Sequence, residues 1–485
     1  MISYFNVCVF IFSFWAFLAD KQEEVELNNS RPNIILIMTD DQGWGDAGYQ
    51  GHPELKTPHL DQMATDGLVF NRFYAAAPVC SPTRGSVLTG RHPFRYGITF
   101  ANVGHIPAEE LLLPEILKEK GYTTGHFGKW HLGTMDKNVV ESNRGGYARN
   151  LKHYSPPWEN GYDASFATES KVPTWDPMIN CDTAVSGCNQ TQNPGDSYGT
   201  YYWTGPGQIA TENLVGDDSR VIMDRVVPFV EKAVESKTPF FSTIWFHTPH
   251  SPVVAGPEYL KMYNGLTEKK QHYYGCITAM DEQIGRLRAK LKELGVADNT
   301  MIWFCSDNGP AAAGGGPGME AGQRQQGSTA GLRGRKGTLF EGGVRVPGIL
   351  VWPAKVKSTR KTDFPAVTSD YLPTILDLLG INQEIRNLDG ISLKRVIENE
   401  EPEYRINPIG FQSRFRREFW QVWHDHDYKL MVEPEKKQTL LFNLKNDPNE
   451  TNNLANKQPE VVLKMQQELD KWLLSVEQDR MKSEL

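Results

Sequence analysis

Asn33-Ile34-Ile35-Leu36-Ile37-Met38, followed at once by Thr39-Asp40-Asp41, is the stretch on which the fold turns. Six residues without a charge, rich in β-branched side chains, predict a strand buried on both faces. The two carboxylates end it abruptly. The same pattern recurs downstream. Phe240 to Phe246 (F-F-S-T-I-W-F) runs into His247, and Met301 to Cys305 (M-I-W-F-C) runs into Ser306-Asp307-Asn308-Gly309. Val346 to Trp352 reads as a fourth buried strand. Between them, Leu111 to Lys120 has the apolar spacing of a short amphipathic helix. Tyr122 to Phe127 reads as a strand, and Tyr273 to Leu294 as a longer helix. Alternating buried strands and helices predict an α/β fold, a large mixed, mostly parallel sheet sandwiched by helices. In such sheets ligands bind beyond the carboxyl ends of the strands. Three strands ending in Asp-Asp, His and Asp-Asn therefore bring distant residues to one rim.

Working outward, two regions lack this regularity. Tyr147 to Thr204 is irregular and crowded with Trp158, Trp175, Tyr198, Tyr201, Tyr202 and Trp203, which could stack on a carbohydrate or form the core of an insertion. Ala311 to Gly331 is rich in Gly, Gln and Ala and reads as a long flexible loop over the rim. After about Gly380 the pattern changes. Trp420 to Trp423, Tyr428 to Val432 and Thr439 to Leu444 read as short strands before an amphipathic helix from about Glu460 to Val476. The expected division is residues 31–380 for the main domain and 381–485 for a smaller α+β domain.

Composition narrows the function. The chain has 485 residues, 39% hydrophobic and 23% charged, with a net charge of −8. That balance argues against nucleic acid as the partner. An anionic substrate would need a local cationic site. Ile2 to Leu18 is almost wholly apolar and reads as a signal-peptide core with a cut after Ala19. An uncleaved signal anchor is the alternative, and no other stretch is long and apolar enough to span a membrane. The secretory route makes Asn28, Asn189 and Asn449 glycosylation candidates. Cys181 and Cys188 flank a short polar loop and could pair, whereas Cys276 and Cys305 sit in apolar surroundings that suit buried thiols.

The most specific segment is Cys80 to Arg91, C-S-P-T-R-G-S-V-L-T-G-R. Pro82 suits a first helical turn, which puts Cys80 at a helix N-terminus, where backbone N–H groups favour negative charge. Asp40, Asp41, Asp307 and Asn308 offer oxygen ligands only, a set that favours Ca²⁺ or Mg²⁺ over zinc. A lone Asp-Asp after a strand is ordinarily a turn or cap. Paired with Asp307-Asn308 after a second strand, it reads as a metal site.

The Cys80-to-Arg91 segment resembles the signature of the type I sulfatases, formylglycine-dependent enzymes of the alkaline phosphatase-like superfamily that include arylsulfatases and glycosaminoglycan exo-sulfatases. The likeness runs from Pro32 to about Ala455. It implies that a formylglycine-generating enzyme oxidises Cys80 to formylglycine. The hydrate of that residue attacks sulfur, forms a covalent sulfo-enzyme and then expels sulfate. It further implies calcium ligation by Asp40, Asp41, Asp307, Asn308 and the residue at position 80. Arg84 would hold the hydrate. Lys129 and His131, in G-K-W-H-L-G, would bind a sulfate oxygen and accept the proton of the elimination step. His247 would protonate the leaving oxygen, a role Asp307 could share. Lys336, selected over Arg333 and Arg335 by its place before Glu341-Gly342-Gly343, would neutralise the sulfate. His250, three residues after His247, could reach a sugar hydroxyl or cap a turn. The implied substrate is a sulfated carbohydrate or an aryl sulfate, and the implied location is lysosomal or extracellular. A phosphatase or phosphonate hydrolase of the same superfamily and an inactive sulfatase-like binding protein are the alternatives.

Overall fold

A computed structural model describes residues 31–141, 148–182, 185, 187–189, 191–311, 326–415 and 418–483. The apolar segment before residue 31, the Asn28 sequon and most of the Gly/Gln-rich loop lie outside these residues.

The Asn33–Thr39 strand forms as expected and lies near the middle of a ten-stranded sheet. Its neighbours, Phe240–Trp245 and Thr300–Ser306, run parallel to it. Thr123–Lys129 and Ala164–Thr168 extend the parallel set beyond Phe240–Trp245. Alternation explains why the central strand is apolar throughout. Ile34, Leu36 and Met38 enter the core on one face of the sheet, and Ile35 and Ile37 enter the core on the other. Helices Asp218–Glu235 and Glu268–Glu293 cover the second face, while Cys80–Thr89 and Tyr371–Leu378 pack on the first.

The structure adds two details. The strand expected over Val346 to Trp352 is Gly348–Val351, and it runs antiparallel to Thr300–Ser306. The irregular 147–204 region supplies a true sheet strand, Ala164–Thr168. Its aromatic residues serve mainly as core. Tyr198, Tyr202 and Trp203 are buried, and Tyr202 stacks on Phe166 with ring centres 4.0 Å apart. The Cys181–Cys188 disulfide is present, and Cys276 and Cys305 are buried free thiols.

Beyond residue 400, strands Ile409–Phe415, Glu418–Asp425, Tyr428–Glu433 and Gln438–Asn443 form a separate antiparallel sheet. The final helix, Pro459–Ser483, packs on that sheet and also reaches back to the main body. Its buried Asp479 pairs with Arg91 at 2.6 Å and with Arg95 at 3.0 Å. Among the described residues, no helix is long and apolar enough to cross a membrane.

Candidate active site at the carboxyl rim

Each parallel strand delivers its polar ending to one place. Asp40 and Asp41 follow the Asn33–Thr39 strand, Lys129 closes Thr123–Lys129, and Asp307 and Asn308 follow Thr300–Ser306. The helix that completes the site begins at Cys80, has Pro82 in its first turn and ends on Gly90, a left-handed cap whose N–H returns to Ser86 O. Its first two turns bring in Cys80 and Arg84.

The charges interlock. Lys129 Nζ lies 2.6 Å from Asp40 Oδ2. Arg84 is wholly buried; its Nη2 and Nε donate to Asp307 Oδ2 at 2.6 and 3.1 Å, and its Nη1 donates to Lys129 O at 3.1 Å. Asn308 Nδ2 donates to Asp41 Oδ1 at 2.7 Å, and Lys336 Nζ pairs with the same oxygen. Asp41 and His131 both adopt left-handed backbone, with φ of 70° and 61°. Such non-glycine positions concentrate at functional sites.

Lys336 arrives on a loop that glycines allow to close tightly. Gly309 N donates to Gly343 O at 2.9 Å. A Cβ on Gly309 would stand 1.9 Å from Gly342 O, so only glycine fits there. Lys336 N donates to Pro310 O at 3.0 Å and Gly337 N to Pro78 O at 2.8 Å. The loop is therefore tied to the Asp307 turn and to the segment before Cys80.

Burial would raise the Asp40 carboxyl, but Lys129, His250, Arg84 and Lys336 together hold it well below the usual carboxylate range. Asp307 is pushed up to about 7 by burial and the neighbouring Asp40 charge, against Arg84. Burial also raises the Cys80 thiol, more than Lys129 and Lys336 lower it. An unmodified Cys80 is thus a poor thiolate nucleophile.

The donor set fits a hard cation. Asp40, Cys80 and Asp307 each present a ligand atom within 4.8 Å of the others, and Asp40, Asp41 and His250 form a second such group. Asp40 Oδ1 and Asn308 Oδ1 are buried acceptors without a hydrogen-bond donor. Such an atom costs about 1–3 kcal/mol when left unmatched, and a divalent cation would satisfy both.

The two histidines of His247-Thr248-Pro249-His250 occupy different surroundings. His247 has no exposed surface. Its Nδ1 lies 2.8 Å from Asp218 Oδ2, and its Nε2 lies 2.7 Å from Thr168 Oγ1. Both of its nitrogens are therefore engaged inside the protein. His250 lies at the carboxylates: its Nε2 is 3.8 Å from Asp41 Oδ2, and its side chain keeps 14% exposure. His131 stands at the same rim, with Nε2 2.6 Å from Asn102 Oδ1 and 3.4 Å from Ser170 Oγ.

Asp218, Thr168, Ser170 and Asn102 were not foreseen. Asp218 opens a helix and carries no motif. Ser170 follows Ala164-Ser165-Phe166-Ala167-Thr168, a strand ending in polar residues like the others, but its small side chains hide the apolar signal.

Comparison with known proteins gives the family. The profile described as Sulfatase matches residues 32–381, and that of the N-sulphoglucosamine sulphohydrolase C-terminal region matches 335–479. N-acetylgalactosamine-6-sulfatase of Canis lupus familiaris is 31% identical over 382 residues, 75% of this chain and 65% of that protein. The match therefore spans just under two thirds of that relative. Arylsulfatase G of Mus musculus is 32% identical over 391 residues, 76% of this chain and 69% of the relative. The solved structure of Ps i-CgsB in complex with k-i-k-neocarrahexaose superposes with a TM-score of 0.77 at 27% identity, covering 91% of this chain and 92% of that one. With that profile spanning residues 32–381, most of the chain, this chain belongs to the sulfatase family.

Proposed function

We propose that the protein is a sulfuric ester hydrolase that releases sulfate from a sulfated carbohydrate, using formylglycine made from Cys80 and one Ca²⁺. The observation that carries this reading is the position of Cys80. Its Sγ lies in one cluster with carboxylate oxygens of Asp40 and Asp307, inside the field of Lys129 and Lys336.

Asp40, Asp41, Asp307 and Asn308 would hold the cation, which when bound polarises oxygens at the reacting centre. The hydrate of formylglycine supplies the attacking hydroxyl, and its second hydroxyl lets sulfate depart. The chain's own residues do the rest. Arg84, locked on Asp307, fixes the helix start that carries position 80. Lys129 and Lys336, which stand against Asp40 and Asp41, would bind sulfate oxygens from two sides. His131 takes the proton that must leave the second hydroxyl. His250, not His247, donates the proton that the departing sugar oxygen needs.

We place the catalytic unit at residues 31–380, with 381–485 as the smaller domain. The Cys181–Cys188 disulfide supports an oxidising route, hence a lysosomal or extracellular destination after maturation by a formylglycine-generating enzyme.

The test joins chemistry to turnover. Mass spectrometry of the Cys80 peptide from protein made in a eukaryotic secretory host should find the aldehyde. Cys80→Ala should abolish release of sulfate from sulfated mono- and disaccharides while the fold persists. An intact thiol in active enzyme, or turnover by Cys80→Ala, refutes the proposal. An aryl phosphate hydrolysed faster than its matched sulfate would favour a phosphatase.

A further inference from the structure

Arg335 stands next to Lys336, yet the two side chains part company. Lys336 Nζ reaches Asp41, whereas the half-buried Arg335 guanidinium donates from Nε to Ala311 O at 3.0 Å and from Nη2 to Gly327 O. One planar fork thus bridges carbonyls on two different segments, and both are fastened to turns that carry the site's carboxylates. Ala311 follows Asp307-Asn308-Gly309-Pro310, and Lys336 N donates to Pro310 O at 3.0 Å. Gly327 precedes Ser328, whose N donates to Asp46 Oδ1 at 2.7 Å and whose O accepts from Gly45 N at 3.0 Å. Asp46 is wholly buried, and its Oδ2 accepts from Gly43 N at 2.8 Å and from Tyr273 OH at 2.9 Å. It therefore closes the turn that follows Asp41. A Cβ on Gly327 would stand 2.4 Å from Pro310 Cβ and 2.6 Å from Tyr273 OH, so these segments meet without slack.

Two routes of contact therefore end on Arg335. One runs from the Asp40-Asp41 turn through Asp46, Ser328 and Gly327; the other runs from the Asp307-Asn308 turn through Ala311. Thr338 fixes the local bend, its Oγ1 accepting from Arg335 N at 3.2 Å and donating to Arg335 O at 2.8 Å. Lys336 needs such support. A lysine ammonium is a point charge on a flexible stem, so its place depends on where its backbone is held. A shift of about 1 Å in a group that binds the reacting centre can cost about 10²-fold in rate.

We propose that Arg335 is a positioning residue: by tying the Lys336 loop to both carboxylate-bearing turns, it holds the Lys336 ammonium where the sulfate of the ester binds. The proposal rests on the sulfatase reading and adds to it a residue that acts through Lys336 rather than on the substrate. Removing the fork should therefore cost activity only while Lys336 is there to be positioned.

The experiment measures kcat/KM on a singly charged aryl sulfate for the matured full chain, Arg335→Gln, Lys336→Gln and the double variant. Arg335→Gln alone should lose about tenfold or more. Added to Lys336→Gln, it should cost no more than about twofold further. Arg335→Lys should stay as slow as Arg335→Gln, because an ammonium keeps the charge but cannot span both carbonyls as the fork does. Calorimetric titration with inorganic sulfate makes the same four-way comparison without turnover: Arg335→Gln should bind more weakly than wild type, and the double variant should bind as Lys336→Gln does. An Arg335→Gln enzyme as active as wild type, losses that multiply in the double variant, or full recovery by Arg335→Lys would each overturn the assignment and leave the sulfatase reading standing. Wild-type protein that carries the aldehyde yet hydrolyses neither aryl nor sugar sulfates overturns the sulfatase reading itself, and the assignment with it.

Discussion

At the scale of single residues, three positions separate two histidines of different use. His250 faces the carboxylates, and burial pushes its ring down to about 4, although Asp40 and Asp41 pull the other way. An imidazole that must donate a proton is competent only below its pKa. The rate with sugar sulfates is therefore expected to rise as pH falls toward that value, and His250→Ala should remove that acid dependence. The same variant should lower kcat on sugar sulfates by about 10²–10⁴-fold. It should cost much less on an aryl sulfate, whose leaving group departs without help. Equal losses on both substrates would remove His250 from the acid role. His247→Gln, by contrast, breaks a buried contact with Asp218 and should lower both activities together. Sequence showed that an imidazole follows the Phe240–Trp245 strand, but not which of the two faces the cleft. That depends on how the chain turns after Phe246 and on Asp218, which lies in a different helix. Asp40, Asp41, Asp307 and Asn308 were legible because each follows a long apolar run.

At the scale of elements, the loop carrying Lys336 is held from behind by the C-terminal sheet. Lys429, on the Tyr428–Glu433 strand, is fully buried and lies 2.9 Å from Glu341 Oε1 and 2.9 Å from Glu450 Oε1. Tyr74 OH donates to Glu341 Oε2 at 2.9 Å, and Glu341 N donates to Glu450 Oε2 at 2.7 Å. One ammonium thus matches two buried carboxylates at the end of the Lys336 loop. Removing one partner of such a cluster costs about 3–5 kcal/mol. Lys429→Met should lose that much in chemical denaturation and should lower kcat as Lys336 loses its fixed position. Adding Glu450→Gln should restore part of the stability. A Lys429→Met protein as stable and active as wild type would refute this coupling. Nothing local in Tyr428 to Val432 announces the role, because the pairing spans 88 positions to Glu341. Strand existence was readable where apolar runs were long. The antiparallel direction of Gly348–Val351 was not, since both directions bury the same side chains.

At the scale of the whole molecule, the sheet gathers charge at its carboxyl rim and buries further titratable groups elsewhere, and these set how stability follows pH. Burial raises the carboxyls of Asp46, Asp281 and Glu450 to about 7 and those of Asp217 and Glu141 to about 8. In the unfolded chain such groups titrate near about 4. The folded state therefore binds more protons, and stability grows as pH falls through 8 and 7. Buried histidines act in the opposite sense. Burial lowers His92 to about 3 and pushes His126 and His424 well down, so each removes stability as pH falls below its unfolded value of about 6.5. The melting temperature, followed by circular dichroism with calcium present throughout, should rise from alkaline pH to about 6.5 and level or turn over below it. Asp217 offers a control. Its Oδ1 caps the Asp218–Glu235 helix at Arg220 N, 3.0 Å away, while its Oδ2 is buried without a donor. Asp217→Asn keeps the cap and removes the titration, so it should flatten the alkaline side of the curve. A wild-type melting temperature unchanged across the alkaline range would mean that these carboxyls ionise freely in the folded protein.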